Sequence, residues 1–145
     1  MTHGRHQIRN AVVTALTGLP VIGNNVFASR VDMLSDKHLP CICVYSKEEK
    51  SKRISKDNLQ ERRLNLAIEV VLKADTDFDN QLDHIITDLE AALFNDIALK
   101  SLILDLDLSE TTMSTGNNGE LILGIASLNF NCVYHTREGT PQTII

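Results

Sequence analysis

From Leu59 to Lys73 the chain keeps a two-residue period. Leu64, Leu66, Ile68, Val70 and Leu72 fall on one side, and Arg63, Asn65, Ala67 and Glu69 fall on the other. Successive strand residues point to opposite faces, so this run predicts a long strand with one face buried. At Thr76 or Asp77 the period changes. Phe78, Leu82, Ile85, Ile86, Leu89, Ala92 and Leu93 then trace an amphipathic helix. Asp79 stands three residues after Thr76, as in a capping box with Asp in place of Glu or Gln.

The same reading extends to both flanks. Ile8, Val12, Val13, Leu16 and Leu19 predict a helix over residues 3–19, stopped by Gly18 and Pro20. After Gly23, Asn24 and Asn25, the residues Val26, Phe27 and Val31 predict a short strand with Arg30 on its solvent face. Residues 39–45 predict a second strand; Pro40 suits its start, where a missing N–H is tolerated. The polar residues 46–58 read as an exposed loop or an extended hairpin tip. Residues 102–108 and 121–134 alternate again on either side of the polar turn 114–119, the pattern of an antiparallel hairpin.

The resulting order, α-β-β-β-α-β-β, has too few helices between strands for a doubly wound parallel sheet. The expected fold is α+β: a mostly antiparallel sheet of about five strands with two main helices packed on one face. Residues 1–135 read as a single domain, and residues 136–145 as a flexible C-terminal arm. A chain of 145 residues can bury roughly two thirds of its unfolded surface.

The net charge of −5 opposes a phosphate backbone, and an aromatic content of 4% without Trp leaves few ring faces for stacking on bases. No sequence-specific nucleic-acid binding is expected. No apolar run follows the basic residues near the N-terminus, so neither a signal peptide nor a membrane span is predicted, and the protein is expected to stay in the cytoplasm where it is made. Cys41, Cys43 and Cys132 make an odd count. They read as reduced core thiols, since a metal site usually needs wider ligand spacing and a fourth group.

Other candidate chemistry is thin. Residues 75–79 carry the alternating acids that open a calcium loop, but Asn80 stands where Gly is required and Ile86 where Glu is. Acids at a helix start, favoured by the macrodipole, are the simpler reading. Asp105 and Asp107 share one strand face, and with His135 they are the residues on which a small metal-dependent hydrolase would have to be built; a solvent-facing pair between buried leucines fits the pattern better. His38, His84 and His135 lie in no nucleophile, zinc or phosphate-loop motif. The chain reads as no enzyme, with no cofactor or metal.

Charge is segregated along the sequence. Residues 47–63 carry seven bases against four acids, and residues 75–110 carry ten acids against Lys100 alone. These are either two solvated faces or the halves of a head-to-tail contact in which one subunit's basic loop meets the next subunit's acidic face. The candidates for such an interface are Lys47, Lys50, Lys52, Arg53, Lys56, Asp75, Asp77 and Asp79.

In order, spacing and total length, several segments together resemble the minor tail protein U family of lambda-like siphophages, the tail terminators. They are the helix opening at residues 8–16, Val26 and Phe27 with Arg30, the strand at 39–45, residues 64–70, the helix over 79–93 and the closing strand 126–134. The resemblance spans roughly residues 8–134. It implies a six-membered homo-oligomeric ring that binds the end of the tail tube, halts polymerisation of the tube protein and presents a surface to a head-completion or connector protein at the head–tail junction of the virion. Another neck or tail-completion protein of similar fold is the nearest alternative. In such a ring Asp105 and Asp107 are candidates to line the lumen.

Overall fold

The computed structural model describes residues 2–28, 36–75, 77–117, 119 and 121–145. In chain order its elements are helix α1 (Gly4–Leu16), strands β1 (Val26–Phe27), β2 (Cys41–Arg53) and β3 (Leu59–Lys73), helices α2 (Phe78–Phe94) and α3 (Ile97–Leu102), and strands β4 (Asp105–Asn117) and β5 (Ile122–Arg137). The strands form one sheet in the order β1-β2-β3-β5-β4. Every neighbouring pair is antiparallel except β1 with β2. The α+β class and the one-sided helical cover are as the periodicities predict.

β3 is the central strand of the five, and its alternation turns one face to the core. Leu64, Leu66, Ile68, Val70 and Leu72 are buried against Ile8, Val12 and Leu16 of α1 and Leu82, Ile85, Leu89 and Leu93 of α2. From β5, Leu128, Phe130, Cys132 and Tyr134 complete this core. Each such leucine or isoleucine stabilises the fold by about 1.5–3 kcal/mol relative to an exposed position. The opposite face of the sheet carries none of the three α-helices; a short 3-10 turn, Asp36–His38, meets it at its border, where His38 packs edge-on against Phe27. This face holds a smaller apolar patch of Cys41, Cys43, Val71 and Leu123, bordered by Phe27, Leu39, Leu121 and Ile125.

Several boundaries differ from the sequence reading, each for a local reason. α1 ends at Leu16, not Leu19, because Thr17 is extended and Gly18 adopts φ 94°. β1 spans two residues; Arg30 and Val31 lie outside the described residues. The polar residues 46–53 continue β2 as the arm of a long hairpin, which turns through residues 54–58 with Asn58 at φ 63°. Thr76 also lies outside the described residues, and α2 has Asp77 at its N-cap with no side-chain capping hydrogen bond.

The largest difference is α3. The alternation from Leu102 predicts a strand, yet residues 97–102 are helical and β4 begins only at Asp105. Asp96 starts the helix by accepting a hydrogen bond from the Leu99 N–H at 2.8 Å, and Leu99 is buried. Leu104, expected in the core, is 60% exposed, while Leu106 and Leu108 are half-buried.

Residues 136–145, read from the sequence as a loose arm, return along α1. Thr136 is fully buried, the Gly4 N–H donates to the Pro141 carbonyl at 2.8 Å, the Gln7 amide donates to the Gln142 carbonyl at 2.8 Å, and the Ile145 N–H donates to the His135 carbonyl at 2.9 Å. Gly4 permits this approach: a Cβ there would lie 2.8 Å from a Tyr134 ring carbon and 3.1 Å from the Pro141 oxygen.

Candidate assembly surface

A buried ionic cluster on the helix-facing side holds the β2–β3 hairpin near its turn end. On β3 the core-facing set continues from Leu66 and Leu64 to Arg62, whose side chain is 12% exposed. Its guanidinium donates to Glu49 at 2.8 Å and to the Thr136 hydroxyl at 2.9 Å. The same Glu49 oxygen accepts from Arg5 of α1 at 2.7 Å, and the other accepts from the Tyr134 hydroxyl. Burial alone would raise the Glu49 carboxyl, but the hydrogen bonds from Tyr134, Arg5 and Arg62 outweigh it and leave the group below its ordinary value. Tyr134 is pushed up, by burial first and then by the Glu49 carboxylate. One carboxylate therefore ties α1, β2, β3 and β5 together.

Residue counting along the sequence places Arg62 among solvated charges. The missed signal is parity: Arg62 falls on the same side of the strand as Leu64, where a charge requires a partner.

Beyond this anchor the basic candidates stand outward. Lys47, Lys50, Lys52, Arg53 and Lys56 are all exposed. Arg53 is engaged within the chain, making a two-pronged contact with Glu138 at 2.6 and 2.7 Å. Lys50 approaches Glu48 at 3.8 Å, with both side chains mostly in solvent. Lys47, Lys52 and Lys56 make no ion pair among the described residues.

The acidic candidates divide into two groups. Asp75, Asp77 and Asp79 are exposed at the start of α2, just past the last residue of β3. There the Asp77 N–H donates to Asp75 at 3.0 Å, and Asp77 accepts from the Asn80 amide at 2.8 Å. The basic hairpin lies at the other end of β3, roughly 45 Å away by the rise of a strand of this length. Asp105 and Asp107 are exposed on β4, on the face without α-helices. Cross-strand register sets Lys50, Arg63, Val133 and Asp105 in one row, and Glu48, Asn65, Asn131 and Asp107 in the next. These rows floor an open groove of about 430 Å³.

The remaining candidates do not converge. Cys41 and Cys43 are buried on the face without α-helices and Cys132 on the helix-covered face, so the three thiols are separated by the sheet. The neighbouring Cys43 side chain and burial push the Cys41 thiol far up; burial, with Asp105 nearby, raises Cys132 to about 12. His135 faces Glu61 at 3.5 Å. Among the described residues, no three His, Cys, Asp or Glu side chains form a metal-holding group, and no helix is long and apolar enough to cross a membrane.

What remains prominent is a sheet with two strand edges that have no outer strand among the described residues, the basic one of β2 and the acidic one of β4, and a sequence that matches the profile of phage minor tail protein U over residues 3–134. The chain belongs to the phage minor tail protein U family. No curated protein matches it significantly. As a member of the minor tail protein U family it is a structural protein of the bacteriophage tail, located in the virion tail and assembling with other tail components.

Proposed function

We propose that this minor tail protein is the tail terminator: a ring, six-membered by its resemblance to the family, that caps the completed tail tube, stops further addition of tube protein and offers the head its joining surface. The observation that carries the reading is the family match across residues 3–134. The surface supports it physically, because a closed head-to-tail ring needs two different, complementary lateral surfaces on each subunit. A basic hairpin edge and an acidic edge strand on opposite sides of one sheet meet that requirement. The protein acts by binding, without catalysis or a cofactor.

Electron microscopy of particles assembled without this protein tests the proposal. Over-long tails without heads are expected; tails of normal length overturn it. Mass measurement in solution, with and without isolated tube ends, gives the second readout, and a protein that stays monomeric with tube ends present removes the ring.

A further inference from the structure

Strand edges with unpaired N–H and C=O groups favour pairing with another chain unless they are covered. β4 is the last strand on its side of the sheet, and its outer edge has no strand partner among the described residues over the thirteen residues Asp105–Asn117. A register shift between Leu108 and Glu110 and the three acids Asp105, Asp107 and Glu110 occupy its first half. On the opposite side β1 pairs only with Ile42 and Cys43 of β2, so residues 46–53 also carry no outer strand among the described residues. This second edge holds Lys47, Lys50, Lys52 and Arg53.

From these edges we infer that, in the ring, the outer edge of β4 pairs with the outer edge of β2 of the adjacent copy, joining neighbouring sheets into one. The inference rests on the ring reading above and adds the surfaces and their alignment. Strand direction is compatible: β3 runs against β2, β5 against β3 and β4 against β5, so a copy placed alongside by rotation about an axis parallel to the strands sets β4 antiparallel to β2. Height is compatible as well, because Asp105 lies in the row of Lys50, above the part of β2 that β1 covers.

The charges select the register. With rows aligned, Asp105 meets Lys50, but Asp107 meets the like charge of Glu48. A stagger of two residues keeps every side chain on its own face and sets Asp107 against Lys50 and Asp105 against Lys52. Exposed ion pairs contribute little stability themselves. Here backbone hydrogen bonds supply the adhesion, and the charges choose partner and alignment. Asp75, Asp77 and Asp79, at the far end of β3, take no part in this contact.

Cysteine cross-linking tests it. Within one chain, positions 50 and 107 are separated by three strand spacings, about 14 Å, too far for an internal disulfide. The double variant Lys50→Cys with Asp107→Cys, assembled on tube ends and mildly oxidised, should give a ladder of covalent oligomers, whereas the wild type, with its buried thiols, should give none. The pair Lys50→Cys with Asp105→Cys should cross-link less; the reverse preference overturns the stagger. Reversal of both acids (Asp105→Lys, Asp107→Lys) should weaken assembly by at least about tenfold, as should Lys50→Glu with Lys52→Glu. Mixing the two reversed proteins should restore contacts between unlike copies. If the wild type assembles but neither ladder nor reversal effect is seen, edge pairing is refuted and the ring uses other surfaces. If the wild type never assembles, the ring reading fails and this contact fails with it.

Discussion

Replacing Glu49 by Ala should lower the stability of the fold more than removal of any other single carboxylate, although Glu49 lies in a segment that is polar throughout. Three donors lose their acceptor. Arg62 is 12% exposed at its side chain and Arg5 is 38% exposed. An unpaired, nearly buried guanidinium costs on the order of 2 kcal/mol, the lost Tyr134 hydrogen bond to a charged group about 1.5 kcal/mol, and the half-solvated Arg5 contact only about 0.5 kcal/mol. The expected loss is about 4 kcal/mol, or roughly 12–16 °C in Tm for a domain of this size. Thermal unfolding followed by circular dichroism reads it. Glu49→Gln should show the same effect at reduced size, because it keeps one acceptor but no charge. The pH dependence gives a separate check. The folded carboxyl is held below the ordinary value of 4.5, so its contribution is complete above that pH and is lost as pH falls through the folded value. The difference between wild type and Glu49→Gln should therefore shrink under acid. A Tm change below about 4 °C for Glu49→Ala, equivalent to about 1 kcal/mol, would refute a role for this carboxylate as the anchor of the hairpin.

Gly124→Ala should destabilise by about 1–3 kcal/mol through overpacking, since its Cβ would lie 2.6 Å from the Phe78 ring; denaturant unfolding measures it. Asp96→Ala removes the hydrogen bond to the Leu99 N–H that opens α3, at a cost of about 1 kcal/mol. Cys132, buried and raised to about 12, should resist iodoacetamide at pH 8 in the folded protein and react after unfolding, as mass spectrometry of alkylated peptides will report.

The sheet and its helical cover are legible in the sequence because they rest on periodicity. β3 buries the residues that its alternation selects, and α2 buries Leu82, Ile85, Ile86, Leu89 and Leu93 on one stripe. What is not legible depends on contacts distant in sequence or on short elements. The alternation over residues 102–108 is compatible with strand throughout, and only the Asp96 cap and the burial of Leu99 assign residues 97–102 to a helix. Residues 138–145 have no periodicity, and their place beside α1 depends on Gly4 leaving room for the Pro141 carbonyl. Of the assembly surface, the sequence discloses the charge blocks but not their geometry. Ten acids over residues 75–110 look like one acidic face, yet the fold sends Asp75, Asp77 and Asp79 to one end of β3 and aligns Asp105 with Lys50 across the sheet.

The basic block separates in the same way, along the difference between arginine and lysine. Arg5 and Arg62 converge on Glu49, Arg53 grips Glu138 and Arg63 holds Glu61 at 3.1 Å. A planar guanidinium fits a carboxylate with two parallel donors and loses less hydration in doing so, which suits it to fixing the fold. Lysine keeps a compact, well-hydrated charge on a flexible stem, and Lys47, Lys52 and Lys56 point to solvent with no ion pair among the described residues. The two cation types therefore have separable consequences. Lysine reversals on β2 should weaken assembly while leaving Tm nearly unchanged, and Arg62→Ala should lower Tm with assembly failing only as a result of unfolding. Arg53→Glu should loosen the tail from the hairpin by repelling Glu138, without mimicking the lysine reversals. If Arg53→Glu and Lys52→Glu prove equivalent in a salt-dependent assembly assay at equal Tm, the basic block acts as undifferentiated charge and the alignment of Lys50 and Lys52 with Asp107 and Asp105 loses its basis.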